Sequence, residues 1–358
     1  MTNEQWKKLL RVIDGEVFDP PLVGFIIDSP WLPGWAGMSI MDYFSSEQNW
    51  FEANLKALKK FPEIIFIPGF WAEFGMCTEP SAFGTKCVWG ENAFPSPMKL
   101  TGDAKQIVAM GKPNPQTDGL CPFVLKRLSC FRDQIESHGH HIKFAVARGP
   151  FNLASFLMGT TEFLMALKLQ PEDTNNLLSM VTDFIVDWLK LQRRTFGSIE
   201  GIFLLDDIVG FVGPDDFKAS AKPYLARAFA AFDAKVKLFH NDAAGLVCAP
   251  HLADIGVNVF NFSHNHSILQ MRKLAGPDVV LLGNIPPRDC LAAGSAEQVR
   301  SFVKELLKFV PDAGRVILSC GGGMPPAVST ENIWAFLSAA SGERSLPREQ
   351  SKGRTAGY

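Results

Sequence analysis

A chain of 358 residues with 47% hydrophobic and 20% charged side chains is too long and too apolar to be disordered or fibrous, so a packed body of enzyme size is expected. Its 35 Lys and Arg against 37 Asp and Glu leave a formal charge of -2, which offers no phosphate-neutralising surface and argues against a nucleic-acid partner. Seven cysteines without a C-x-x-C pair read as reduced thiols, and no apolar run approaches the roughly 18 residues of a membrane span, so a soluble cytoplasmic protein is expected.

In chain order, a polar, helix-like N-terminus is followed by eight short apolar, β-branched runs: Leu22–Asp28, Ile64–Pro68, Ile142–Arg148, Ile202–Asp206, Val236–His240, Val257–Phe262, Val279–Asn284 and Arg315–Cys320. Most are followed by an amphipathic segment of helical length, and their continuous apolar interiors suit parallel strands covered on both faces. Helix starts are signalled at Ser45-Ser46-Glu47, Pro171-Glu172-Asp173, Gly213-Pro214-Asp215-Asp216 and Ser329-Thr330-Glu331. Eight such units predict an α/β fold, a single (β/α)8 TIM barrel over residues 1–344. A polar tail at 345–358, flexible and dispensable, is expected to follow. Between Gly69 and Arg127, after the second strand, a segment rich in Pro, Gly, Cys and aromatic residues far exceeds the usual βα loop of about two to six residues, and reads as a lid or binding loop.

In such a barrel the chemistry sits at the C-terminal ends of the strands. Asp28 ends the first run, Glu73 follows the second, Arg148 ends the third, Asp206 and Asp207 the fourth, His240 and Asp242 the fifth. His264 and His266 follow the sixth, Asn284 ends the seventh and Cys320 the eighth. Asp206 and Asp207 either cap the turn into the next helix or aim one carboxylate at a ligand; strand alternation admits only one of them, and Asp207 is the choice. His240 and Asp242, two apart at a strand end, point the same way, and with Cys320 they make a plausible zinc set with an open fourth position. The alternatives are a buried His oriented by an Asp and an ordinary buried Cys.

His264 and His266 read as ligand-contacting, metal-supporting or helix-capping groups. Cys77 with Glu73 or Glu79, in the long loop, is a second possible source of ligands. Phe70, Trp71, Phe74, Phe83 and Trp89, with Trp31 and Trp35 earlier, read as either an apolar pocket wall or ordinary packing, and their clustering near strand ends favours the wall. Gly321-Gly322-Gly323-Met324-Pro325-Pro326 is a glycine-rich turn that could offer backbone N–H groups to an anion. It is neither a Walker loop nor G-x-G-x-x-G, which leaves a nucleotide-cofactor dehydrogenase or kinase without support.

Leu204-Leu205-Asp206-Asp207 leading to Gly213-Pro214-Asp215-Asp216-Phe217, then Leu282-Gly283-Asn284-Ile285-Pro286, then Gly321-Gly322-Gly323-Met324-Pro325-Pro326 running to Glu331-Asn332-Ile333, resemble the uroporphyrinogen decarboxylase superfamily over most of the chain. The resemblance implies a (β/α)8 barrel. The decarboxylase branch carries R-Q-A-G-R after its first strand to hold acidic side chains; this chain has Asp28-Ser29-Pro30-Trp31-Leu32-Pro33-Gly34 there, an acidic, aromatic mouth unsuited to a polyanionic porphyrinogen. The methyltransferase branch binds zinc through H-x-C after the fifth strand and a Cys after the eighth. Here His240-Asn241-Asp242 has Asp in place of that Cys, and the second Cys falls on Gly322, with Cys320 two residues earlier.

The resemblance thus implies a zinc-assisted methyltransferase moving a methyl group from a small donor, such as an aromatic methyl ether, to a corrinoid. In that reading His240, Asp242 and Cys320 hold zinc, while Asp207, His240 and Glu73 do the proton and orienting work. Asp28, Trp31, Phe70, Trp71, Arg148, His264 and Asn284 contact substrate. No D-x-H-x-x-G is present, so the corrinoid would come on a separate protein; homodimers occur in the family. A metal-free decarboxylase or lyase, with Arg148 gripping a carboxylate, and a non-catalytic binding barrel are the alternatives.

Overall fold

The computed structural model describes residues 1–28, 30–310 and 314–342, so the tail expected at 345–358 lies outside the described residues. Eight parallel strands curl into a (β/α)8 barrel: β1 Leu22–Ile26, β2 Ile65–Ile67, β3 Phe144–Arg148, β4 Gly201–Leu205, β5 Val236–Asn241, β6 Val259–Phe262, β7 Val280–Ile285 and β8 Val316–Cys320. Each lies within two residues of its sequence-predicted bounds. Around the sheet the order is β2-β1-β8-β7-β6-β5-β4-β3.

The longer helices among the described residues are α1 Asn3–Ile13, α2 Glu47–Lys60, α3 Cys121–Ser137, α4 Pro150–Met158, α5 Thr160–Leu169, α6 Pro171–Thr195, α7 Lys222–Phe229, α8 Ile268–Ala275, α9 Ala296–Lys308 and α10 Thr330–Ala340. Caps behave as the sequence signals: Ser46 Oγ accepts from Asn49 N before α2, and Ser329 Oγ from Asn332 N before α10. The start at Gly213–Asp216 gives one short turn, Pro214–Asp216, which widens at Phe217–Ala221 before α7.

Side-chain alternation sorts the strands into two cores. Facing the barrel axis are Ile26, Ile65, Ile67, Phe144, Val146, Phe203, Leu205, Val236, Leu238, Val259, Val280, Leu282 and Ile317. Facing the helices are Phe25, Ala145, Ala147, Ile202, Leu204, Phe239, Phe260, Leu281, Leu318 and Cys320. Counting on by twos from the axial set brings Asp28, Arg148, Asp207, His240 and Asn261 to the inner side of the barrel's C-terminal end. The same count from the outer set assigns Asp206 and Cys320 to the helix layer.

β2 and β3 are not hydrogen-bonded to each other, which leaves a seam in the barrel. Part of the exposed edge of β3 is met by a side chain: Gln192 of α6 accepts from Val146 N at 3.0 Å and donates to Val146 O at 2.8 Å, taking the place of a strand partner. Gln192→Leu would leave both backbone groups buried and unpaired. Each such group costs roughly 1–3 kcal/mol, so a drop of about 2–6 kcal/mol in unfolding free energy is expected in a urea titration.

The long segment after β2 is more ordered than its composition suggests. It contains a short helix, Thr78–Ala82, and a hairpin of Cys87–Val88 with Ser96–Pro97, tied back by Met76 N to Pro95 O at 3.0 Å. This folds Met76 and Phe94 over the open end of the barrel, where both line the main cavity.

Candidate active site

A cavity of about 480 Å³ opens at the C-terminal ends of the strands, within the usual range for small-molecule pockets. Its wall combines Trp71, Met76, Phe94, Phe156 and Met324 with Asp28, Arg148, Asp207, His240 and Asp242. Among the described residues, only Asp207, His240 and Asp242 form a group of three or more metal-binding side chains whose ligand atoms lie within 4.8 Å of one another. His240 Nε2 stands 3.6 Å from Asp207 Oδ1 and 3.9 Å from Asp242 Oδ2.

Each member is held by its own element. Asp242 N donates to Asp207 Oδ1 at 3.0 Å, which ties the end of β5 to the turn after β4. Asn152 at the start of α4 accepts from the backbone N–H groups of Asp207 and Ile208 at 3.1 and 3.2 Å, fixing that turn. Asp206 is fully buried and points away. Its carboxylate accepts from Phe151 N and Asn152 N at the first turn of α4, and burial pushes its pKa well up. The adjacent acids are therefore divided: Asp206 caps a helix and Asp207 faces the cavity. Burial also raises Asp207, partly offset by His240, while the neighbouring Asp242 adds to the rise.

The donor set passes a simple test for a divalent cation. One imidazole nitrogen and two carboxylates converge, and two negative groups facing one nitrogen repel each other unless a cation lies among them. Three protein ligands at a cavity wall leave room for a further ligand.

Arg148 forms a second centre on the same wall. Its guanidinium is buried over the Trp71 ring at 5.7 Å, donates to Gly75 O at 3.1 Å and lies 3.4 Å from Glu73 Oε2. Glu79 is fully buried and accepts from the backbone N–H of Arg148 at 2.8 Å, which sets its charge near the same guanidinium without a direct contact to it. Burial first, and then Glu79, push Glu73 up to about 8, against the pull of Arg148 and of the Trp71 Nε1 hydrogen bond at 2.9 Å. Glu73 lines a small void of about 20 Å³ beside the seam, shared with Trp71, instead of the main cavity.

Several expected contacts are placed elsewhere. Trp31 is buried in the helix-facing core, its Nε1 donating to Val328 O at 3.0 Å. Phe70 stacks on Phe51 with ring centres 5.7 Å apart. Neither lines the cavity. Asn284 is turned to its neighbour strand, donating to Ser263 O at 3.2 Å and His266 O at 2.6 Å, so it shapes the loop after β6. His264 is exposed in that loop, outside the cavity lining.

Cys320, expected as the third metal ligand, is not in the metal-binding group. Strand parity turns its thiol into the helix-facing core, where Sγ donates to Gly322 O at 3.4 Å and burial pushes it up to about 12. The third side chain of the convergent group is Asp207. The glycine turn is no anion cradle, because the N–H groups of Gly321, Gly322 and Met324 are spent on Ile285, Cys320 and Ile26 carbonyls. Its small residues serve a close approach. A Cβ on Gly322, whose φ is +123°, would lie 2.9 Å from Asp242 Oδ2.

Three polar residues at or beside the cavity escaped the sequence reading. Asn152 and Asn261 bear no motif, although Asn261 sits at an inward position of an apolar run, an anomaly that parity alone would have flagged. Arg288 lines the cavity from the loop after β7, where spacing gives no signal.

The family model described as "Uroporphyrinogen decarboxylase (URO-D)" matches residues 6–342. Among curated relatives, uroporphyrinogen decarboxylase from Danio rerio is 25% identical over 324 residues, covering 85% of this chain and 83% of that protein. Its counterpart from Homo sapiens is 26% identical over 332 residues, covering 86% and 85%. Among solved structures, a methyltransferase from Methanosarcina mazei superposes with a TM-score of 0.78 over 95% of this chain and 99% of that one, at 17% identity, a likeness of fold.

Proposed function

We propose, from the premise that this chain belongs to the uroporphyrinogen decarboxylase family, that it is an enzyme of the methyltransferase kind: it removes a methyl group from a small donor and passes it to a corrinoid carried by a separate protein. The observation that carries the reading is the convergence of Asp207, His240 and Asp242 on one wall of a largely apolar cavity. These three side chains would hold a zinc ion. When bound, zinc supplies Lewis acidity, lowering the cost of negative charge at the heteroatom that gives up its methyl group.

The chain's own residues do the rest. Trp71, Phe94, Phe156 and Met324 give the donor an apolar seat and keep water from the reacting centre. Met76 and Phe94 come from the long segment after β2 and roof that seat. Arg148 keeps its charge against the cost of burial, with Glu73 and Glu79 acting in its favour, and adds one fixed cation to the cavity lining beside the acids. Asp28, Asp207 and Asp242 on the wall, and the lack of arginines at 29–34, disfavour a polyanionic porphyrinogen as substrate.

The test is twofold: zinc content by elemental mass spectrometry on protein purified without chelators, and formation of methylcobalamin from an aryl methyl ether and free cob(I)alamin, followed by absorbance. About one zinc per chain and zinc-dependent methyl transfer are expected. A second reading, a metal-free decarboxylase or lyase, is favoured by the pairing of Asp207 with His240 at 3.6 Å and by Arg148 as a carboxylate anchor. Protein that takes up no zinc and decarboxylates a small carboxylic acid would select it.

Gly322→Ala probes the same site from the backbone side. The added methyl group is strained at this φ and pushes on Asp242, so zinc affinity is expected to fall by roughly 10-fold or more, read by competition with a chromogenic chelator.

A further inference from the structure

We infer that Asn261 is a positioning residue that fixes the tautomer of His240, protonated on Nδ1 and bare on Nε2, so that the bare nitrogen faces Asp207 and Asp242. Asn261 is fully buried on β6, next to β5. Its Nδ2 lies 2.8 Å from Leu282 O and 3.3 Å from Cys320 O. Both partners are carbonyl oxygens, which only accept, so the amide has one admissible orientation and its Oδ1 must face the ring. That oxygen lies 2.7 Å from His240 Nδ1. An amide oxygen cannot donate, so the proton of this contact belongs to the imidazole.

The consequence follows from the ring's chemistry. A neutral imidazole with Nδ1 protonated has its lone pair on Nε2, the atom 3.6 and 3.9 Å from the two carboxylates. The other tautomer would set a lone pair against the Asn261 oxygen inside the core and aim an N–H at the cavity. Asn261 thereby decides whether His240 presents a donor or a proton to whatever the two aspartates hold. Three adjacent strands enter this choice: β6 supplies Asn261, β7 orients it through Leu282 O and β8 through Cys320 O.

The tautomer stands on these contacts alone; its use as a metal ligand rests on the function proposed above. The test is nitrogen NMR on the full chain labelled with ¹⁵N-histidine, at about pH 9, where an ordinary imidazole is neutral, with His240 assigned by its loss in His240→Gln. A protonated Nδ1 and an unprotonated Nε2 are expected. In Asn261→Leu the ring should lose this bias, and zinc affinity should fall by roughly 10–100-fold. Asn261→Asp keeps the acceptor facing the ring, so the tautomer should be retained, while its second oxygen, set against Leu282 O and Cys320 O, should lower stability. A wild-type ring protonated on Nε2, or a tautomer unchanged in Asn261→Leu, would overturn the inference. If the tautomer is as stated but wild-type protein takes up no zinc, the positioning role stands and the metal reading fails.

Discussion

His240→Ala should empty the site, taking zinc from about one equivalent per chain to roughly a tenth or less, with methyl transfer falling by about 100-fold or more. The reason is geometric. His240 supplies the single nitrogen of the group and stands within 4 Å of both carboxylates, so its removal leaves two acids without the neutral donor between them. Asp207→Asn should give a loss of similar direction, because it removes charge at the oxygen that also accepts from Asp242 N. Cys320→Ala is the decisive contrast: its thiol lies in the helix-facing core, so zinc content should be unchanged. Zinc lost in Cys320→Ala but kept in Asp207→Asn would return the third ligand to β8 and refute the arrangement described here.

The second large effect concerns stability and pH. Glu73 is raised by burial and by Glu79 from an ordinary 4.5 to about 8. Between those values the folded chain holds a proton that the unfolded chain has released. Its contribution to stability is therefore full below about pH 4.5 and is lost as pH rises through 8, at a slope of about 1.4 kcal/mol per pH unit. In Glu73→Gln, a neutral amide replaces the protonated acid, and this slope should vanish. The variant is expected to match wild type near pH 4 and to exceed it by a few kcal/mol at pH 9 in denaturant titrations. Glu79→Gln removes the like charge beside Glu73 and should flatten the slope in part. An unaltered slope in Glu73→Gln would show that another buried group carries the pH dependence.

The site was partly legible in the residues. Asp207 and His240 follow from the rule that polar groups closing apolar runs gather at one end of a barrel, and alternation within Asp206-Asp207 singles out one inward carboxylate. Trp31 and Phe70 show the limit. An aromatic near a strand end packs equally well against a helix or a ligand, and composition carries no direction. Cys320 shows it more sharply. In Val316–Cys320 apolar residues stand on both faces, Val316 and Leu318 toward the helices and Ile317 toward the axis, so hydrophobic alternation does not assign the thiol.

What the sequence by itself determined is the periodic part: eight parallel strands, the helix caps, one open end bearing acids and histidine, and a long covering segment after the second strand. These are local facts, written in hydrophobic spacing and capping residues a few positions apart. What only the tertiary structure decided is which side chains from distant strands meet. Asp207, His240 and Asp242 converge, Cys320 drops out, Gln192 stands in for a missing strand partner, and Asn261 sets the imidazole. Those outcomes depend on how the strands stagger and curl around a shared axis. That geometry is set by the packing of the whole barrel at once, and no short window of residues contains it.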